Sequence, residues 1–373
     1  MQTNTAFVAS RRQVLQGGVL LAAAALVAGL PLASAGATES AKPAQTALAD
    51  GPITIVDQLG KTIEFDEVPT RVASTIMPFP SIYFAFMGNT DTLVGCNPNC
   101  MPAYEKSALK FLYPAMAQTG TEWCGSDFSV NIEELLKLKP DVVFQWTSQP
   151  ESIEAMEAAG LKVVALQYGG IEDLKTWLAM LGDLFQKQDR AEFLIDYFDG
   201  QIAEVDEVLA DLPEDKRPVC LHLSGDLEVY TPESFSQYWI EHAGAKNPVD
   251  GSGTSVEVDM EQIYSWNPAF VFIGNFTDMQ PSDLLENKIA GQDWSPVNAV
   301  QDANVYKIPI GGYRWDPPSV ETPLMVKWLA STMHPELFAD LDMAQELERF
   351  YADVYGTELT DEQIDSILGH TQE

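Results

Sequence analysis

Tyr313-Arg314-Trp315, placed between Gly311-Gly312 and Asp316-Pro317-Pro318, puts two aromatic rings and a guanidinium into one short loop. Aromatic faces suit a large flat or apolar ligand, and a fixed guanidinium suits its carboxylates or negative charge. Aromatic residues also stand where other apolar, strand-like runs end: Pro78-Phe79 after Met77, Trp146 after Val142-Val143-Phe144, and Phe276 after Asn275. Tyr230 lies in the later half of the chain, and Trp123 precedes an expected helix. A lone aromatic in such a place is more often core than ligand wall, but a loop rarely gathers three large groups without use. The candidate ligand-binding set is Pro78, Phe79, Trp123, Trp146, Tyr230, Phe276, Tyr313, Arg314 and Trp315.

These residue types bind and do not catalyse. The chain has no Gly-x-Ser-x-Gly nucleophile elbow and no His-Glu-x-x-His, and Gly251-Ser252-Gly253 lacks the third glycine of a dinucleotide fingerprint and follows no strand. His222, His242, His334 and His370 are scattered, and His222 alternates within a strand as a core or edge residue would. Cys96-x-x-x-Cys100 is a poor zinc pattern. An exported chain favours a disulfide among Cys96, Cys100 and Cys124, while Cys220 reads as buried and inert. No catalytic residue, no metal ligand and no covalent cofactor are expected, so the chain is not expected to be an enzyme.

Two matching stretches must position the binding loops. Residues 130–146 read VNIEELLKLKPDVVFQW and residues 258–274 read VDMEQIYSWNPAFVFIG, 128 positions further on. Asn131 with Glu134, and Asp259 with Gln262, are N-cap pairs, and Pro140 and Pro268 end the helices that they open. An apolar run follows each time. A short helix feeding an apolar strand is half of a β-α-β unit, whose strands lie inside parallel sheets. The spacing exceeds the roughly 20–50 residues of a solenoid repeat and fits two similar α/β lobes.

The rest of the chain falls around this plan. Ser10-Arg11-Arg12, an apolar run and Ala33-Ser34-Ala35 make residues 1–35 a twin-arginine (Tat) signal peptide, leaving an extracytoplasmic protein in the periplasm or on the outer face of the cytoplasmic membrane. Residues 36–50 read as a flexible leader. Residues 51–170 form an N-terminal α/β lobe, which opens with a hairpin around Gly60. Residues 171–212 form a helical linker, in which apolar residues at helical spacing over 189–212 predict one strut roughly 36 Å long. Residues 213–373 form a C-terminal α/β lobe that ends in amphipathic helices. The formal charge of −34 becomes −36 when Arg11 and Arg12 leave with the signal, which argues against nucleic acid and anionic lipid and favours basic protein partners.

Asp57-x-x-Gly60-Lys61, Pro69-x-Arg71-Val72, Asn131-Ile132-Glu133 with Leu138-x-Pro140-Asp141, Trp266-Asn267-Pro268, and Phe350-Tyr351 near Tyr355-Gly356 together resemble the substrate-binding proteins of iron-siderophore, haem and cobalamin ABC importers. The resemblance spans roughly residues 53–368. It implies two α/β lobes with mainly parallel sheets joined by a long rigid helix, and a monomer that binds a ferric siderophore, haem or cobalamin between the lobes. It also implies delivery to an ABC permease and its ATPase. In that family an acidic residue on each lobe docks with permease arginines, and Glu133 and Glu261 match those positions. Each also lies in the first turn of its helix, where a carboxylate complements the helix dipole by about 0.3–1 kcal/mol. The chain departs from lipid-anchored members in having no cysteine near the cleavage site. The alternative is a Tat-exported enzyme that carries a cofactor loaded before export.

Overall fold

Ile53 and Ile55 point inward while Thr54 and Val56 face water, and the mirrored alternation over 62–65 closes an antiparallel hairpin of β1 (Ile53–Val56) and β2 (Thr62–Phe65). The computed structural model describes residues 51–369. The export signal, the leader and His370 lie outside the described residues. Asp57 fixes the hairpin turn, accepting from the amides of Leu59 and Lys61 at 3.0 and 2.9 Å and from Ala165 at 3.2 Å.

The first lobe is built on β3 (Val72–Ser74), β4 (Leu93–Cys96), β5 (Val142–Trp146) and β6 (Val163–Leu166), all parallel in the order β4-β3-β5-β6. Every residue of β5 and β6 is buried, as an unbroken apolar strand covered on both faces requires. The second lobe holds β7 (Cys220–Gly225), β8 (Glu228–Tyr230), β9 (Ser255–Glu257), β10 (Phe270–Ile273) and β11 (Val305–Lys307) in the order β11-β10-β7-β8-β9. Its three buried strands are parallel, while β8 and β9 add an antiparallel edge.

The repeat is present in both lobes at matching positions. The helices Ile132–Leu138 and Met260–Trp266 are capped by Asn131 and Asp259, whose side chains accept from the amides of Glu134 and Gln262 at 3.2 and 2.8 Å. Both end in a left-handed residue, Lys139 (φ 47°) and Asn267 (φ 42°), and lead into an inner strand of their sheet, β5 and β10. Arg71 closes the first copy, donating to the carbonyls of Leu138 (2.9 and 2.6 Å) and Lys139 (3.1 Å), and Asp141 accepts from the amides of Thr70 and Arg71.

The linker contains the expected strut, preceded by a separate helix. It is two helices, Ile171–Phe185 and Gln188–Leu209, separated by left-handed Gln186 (φ 54°). The second runs unbroken through Gly200 and covers about 33 Å. It packs on Phe79–Met87 of the first lobe and on Ser236–His242 and Thr322–Met333 of the second. Lys327, 2% exposed, ties it to the tail by donating to Gln201, Glu204 and Glu346 at 2.6–2.8 Å. The tail does not rest on one lobe alone. After helix Met343–Phe350, the π-turn Tyr351–Tyr355 packs back on Phe79–Met87. The expected disulfide is also corrected: Cys96, Cys100, Cys124 and Cys220 are all free thiols, all buried.

Candidate functional site

The loops that leave the parallel strands of the two sheets meet. The Ala108 amide of the first lobe donates to the Gly311 carbonyl of the second at 2.7 Å, and Tyr168, two residues past β6, meets Phe235 edge-on at 6.2 Å. From there a run of rings crosses the junction. Trp177 and Trp146 lie 5.5 Å apart, Trp146 and Tyr168 5.4 Å, Phe235 and Tyr230 5.5 Å, and Tyr230 and His222 4.3 Å. Beside Tyr168 a small cavity of about 10 Å³ opens between Pro78, Trp177 and Pro318. Ligands of open α/β sheets bind beyond the carboxyl ends of the strands, which is where this crevice lies.

Arg314 is fixed on the second lobe, in the loop that carries Gly311. Its Nε donates to the Asn275 carbonyl at 3.1 Å and its Nη1 to the Tyr313 hydroxyl at 3.2 Å, and its guanidinium lies 4.6 Å from the Phe276 ring centre. Asn275 is held in turn by Asp316, which accepts from its amide at 3.0 Å and from its Nδ2 at 3.4 Å. Lys307 pins the loop that carries Asn275 and Phe276, donating to the carbonyls of Gly274, Thr277 and Met279 at 2.7–3.0 Å. Burial pulls the Lys307 pKa down to about 8.

The Gly311–Tyr313 backbone is set by Glu321, fully buried, whose carboxylate accepts from the amides of Gly312 (2.9 Å) and Tyr313 (3.0 Å) and from the Tyr351 hydroxyl (2.6 Å). Gly311 passes so close to Glu321 and Trp315 that no Cβ fits there. Desolvation raises the pKa of both Glu321 and Asp316 above the usual carboxylate range. Burial also raises the hydroxyls of Tyr168 and Tyr230, the former further through Tyr230, Tyr313 and Asp316. These tyrosines stay neutral donors at any working pH.

The candidate residues divide between crevice and core. Pro78 lines the cavity, Trp146 meets Tyr168 edge-on, and Tyr230 lies beside Phe235 at the junction, while Phe276, Tyr313 and Arg314 form a cluster of their own on the second lobe. Phe79, Trp123 and Trp315 are core instead. Phe79 packs on Tyr83 and Phe144, Trp123 donates to the Gly120 carbonyl beneath the sheet, and Trp315 is fully buried beside Glu321. Three large groups in one loop therefore point two ways: Trp315 is buried and anchors the loop, whereas half-buried Arg314 turns to Asn275 and Phe276. Sequence reasoning missed Tyr168, Phe235, Asp316 and Glu321. Tyr168 was findable, since it follows an apolar strand and precedes Gly169-Gly170. The acids had no local signal, because their partners are backbone amides.

Away from the crevice, Glu133 and Glu261 are both exposed at the second position of the repeat helices. His222 is 1% exposed within β7, and neither of its ring nitrogens has a partner among the described residues.

Residues 81–310 match the family described as periplasmic binding protein. A solved periplasmic solute-binding protein from Veillonella parvula is 35% identical, with TM-score 0.80 over 85% of this chain and 97% of its own. The molybdate-binding protein MolA of Haemophilus influenzae is 26% identical over 84% of this chain and 93% of its length. The iron(3+)-hydroxamate-binding protein FhuD of Bacillus subtilis is 25% identical over 54% of this chain and 65% of its length. No helix among the described residues is long and apolar enough to cross a membrane. The chain belongs to the periplasmic binding protein family and is a substrate-binding protein of an ABC transporter.

Proposed function

We propose that this chain is a non-catalytic, monomeric receptor, exported by the twin-arginine route, that captures an anionic metal chelate in the crevice and hands it to an ABC permease and its ATPase. The chelate is of the ferric-siderophore, haem or corrinoid class. Arg314 carries this reading: a half-buried guanidinium, held by Asn275 and Tyr313 and stacked on Phe276, belongs to the loop whose Gly311 carbonyl meets Ala108 of the first lobe. A cation framed by aromatic faces suits a ligand with both flat apolar surface and negative charge. Hydroxamate binding by the Bacillus subtilis relative supports the same class.

A compact metal oxyanion is the second reading. It is favoured by the cavity of about 10 Å³ and by the molybdate for which the Haemophilus influenzae relative is named. A chelate requires the lobes to part, whereas an oxyanion requires little movement. Tryptophan-fluorescence titration of residues 36–373 with ferric siderophores, haem, cobalamin, molybdate and nickel separates the two. Saturable quenching by a chelate at micromolar concentration, weakened about tenfold or more (~1.4 kcal/mol) by Arg314→Ala, is expected. Saturation by molybdate alone establishes the second reading, and a response that Arg314→Ala leaves unchanged removes the crevice assignment.

A further inference from the structure

Leu136 and Tyr264 stand at equivalent places in the two repeat helices, and both are large apolar residues left in water, 44% and 39% exposed. Single exposed apolar residues are ordinary on a protein surface. Here the same helix position is exposed in both lobes, while the residue before it, Leu135 in one and Ile263 in the other, is fully buried. Leu135 belongs to a core with Val143 and Val163, and Ile263 to one with Leu221 and Val271. Both cores are separate from the cluster that runs through the strut, the tail and both lobes. Each repeat helix therefore covers the outer face of its sheet and leaves Leu136 or Tyr264 in solvent. Each of these also lies three positions after an exposed acid, Glu133 or Glu261, which puts acid and apolar group on one side of the helix. Lys137 pairs with Glu134 at 2.6 Å and not with Glu133. Tyr264 is tied down, its hydroxyl donating to the Asp293 carbonyl at 2.6 Å while its ring stays in water.

We propose, resting on the reading of the chain as a receptor that delivers to an ABC permease, that Leu136 and Tyr264 are the apolar half of the permease-docking surface. Each lobe offers one acid and, beside it, one apolar side chain to a permease face that sets a basic residue next to an apolar one. Charge complementarity selects this occupant. The chain carries a formal charge of −34 and each patch adds an exposed acid, so a second copy is repelled and a basic surface is drawn in. Exposed ion pairs guide encounter and add little affinity, because water screens them. Apolar groups covered at the centre of a contact supply the holding energy. Acid and apolar group thus divide the work: Glu133 and Glu261 steer, and Leu136 and Tyr264 hold.

The test is photocrosslinking on right-side-out membrane vesicles from the cells that make the chain. Leu136→Cys and Tyr264→Cys are each labelled with a benzophenone maleimide, the four native thiols being buried. Val208→Cys, on the strut and similarly exposed, is the control. The expected result is adducts from both repeat positions to extracytoplasmic loops of an ABC permease, identified by mass spectrometry, and none from position 208. No adduct from either position, permease adducts as abundant from position 208, or adducts only to lipid or to a second copy of the chain overturns the assignment. Competition against the chain labelled fluorescently at Val208→Cys then separates acid from apolar group. Leu136→Ser with Tyr264→Ser is expected to compete about tenfold less well (~1.4 kcal/mol). Tyr264→Phe, which keeps the ring and loses the bond to Asp293, is expected to compete as the unaltered chain does. Undiminished competition by the double serine variant overturns this role alone, whereas no saturable binding of the unaltered chain overturns the delivery reading and this role with it. Normal competition by Glu133→Ala with Glu261→Ala, beside weak competition by the serine variant, leaves the apolar contact standing without the acids.

Discussion

Two buried groups decide how the crevice loop is held and how it answers to pH. Glu321 has three donors on one carboxylate, two of them amides of the loop that presents Arg314. Glu321→Gln removes one acceptor, and leaving a buried amide unpaired costs about 1–3 kcal/mol. The expected outcome is a lower urea midpoint together with weaker ligand binding, both worse in Glu321→Ala. Normal affinity in a destabilised Glu321→Gln protein would confine Glu321 to a packing role. His222 is a different case: desolvation first, and then the Lys307 charge, lower its pKa to about 3. The folded chain keeps it neutral while the unfolded chain protonates it below about 6.5. Its share of stability is therefore complete above that pH and is lost as pH falls from about 6.5 towards 3, by up to about 1.4 kcal/mol per pH unit. His222→Phe should flatten the decline of urea midpoints between pH 7 and pH 4. Equal slopes in the two proteins would show that His222 titrates normally.

At the scale of elements, the repeat was the most legible feature because each of its signals is local. A cap residue, its partner three places on, and a Pro after two turns are read from adjacent letters, and the helices Ile132–Leu138 and Met260–Trp266 lie where those letters put them. The break at Gln186 was not legible, since the chain turns left-handed there without a glycine or proline. Nor was the division of the Tyr313-Arg314-Trp315 loop, because its backbone is held at Gly312 and Tyr313 by Glu321, a residue beyond the loop. Exposure of Glu133 and Glu261 at equivalent first turns suits a docking role and equally suits a dipole role, and the two part in their consequences. Glu133→Ala with Glu261→Ala should change stability by no more than about 1 kcal/mol and leave ligand affinity intact while stopping uptake into cells. Uptake at the normal rate would return both residues to the helix dipole.

Over the whole molecule, the lobes are joined by more than the linker. The chain leaves the first lobe along Gln188–Leu209, builds the second, and then returns through Tyr351–Tyr355 to the first-lobe helix Phe79–Met87. Arg190 sits at that meeting point. Its guanidinium donates to the Ala85 carbonyl at 2.7 Å and to the Val354 carbonyl, so one side chain links first lobe, strut and tail. The sequence showed an Arg near the start of a helix and nothing of its two partners, which lie 105 and 164 positions away. Arg190→Ala leaves two carbonyls without their charged donor, at a cost of about 1–3 kcal/mol. If the return of the tail braces the lobes, amide exchange should quicken over residues 79–87 and 351–355 while the second-lobe strands β7 and β10 keep their protection. Uniform quickening across both sheets would mean that Arg190 only adds to global stability. Exchange unchanged at 351–355 would mean that the tail is held by its own packing, and that the strut alone sets how far the crevice can open.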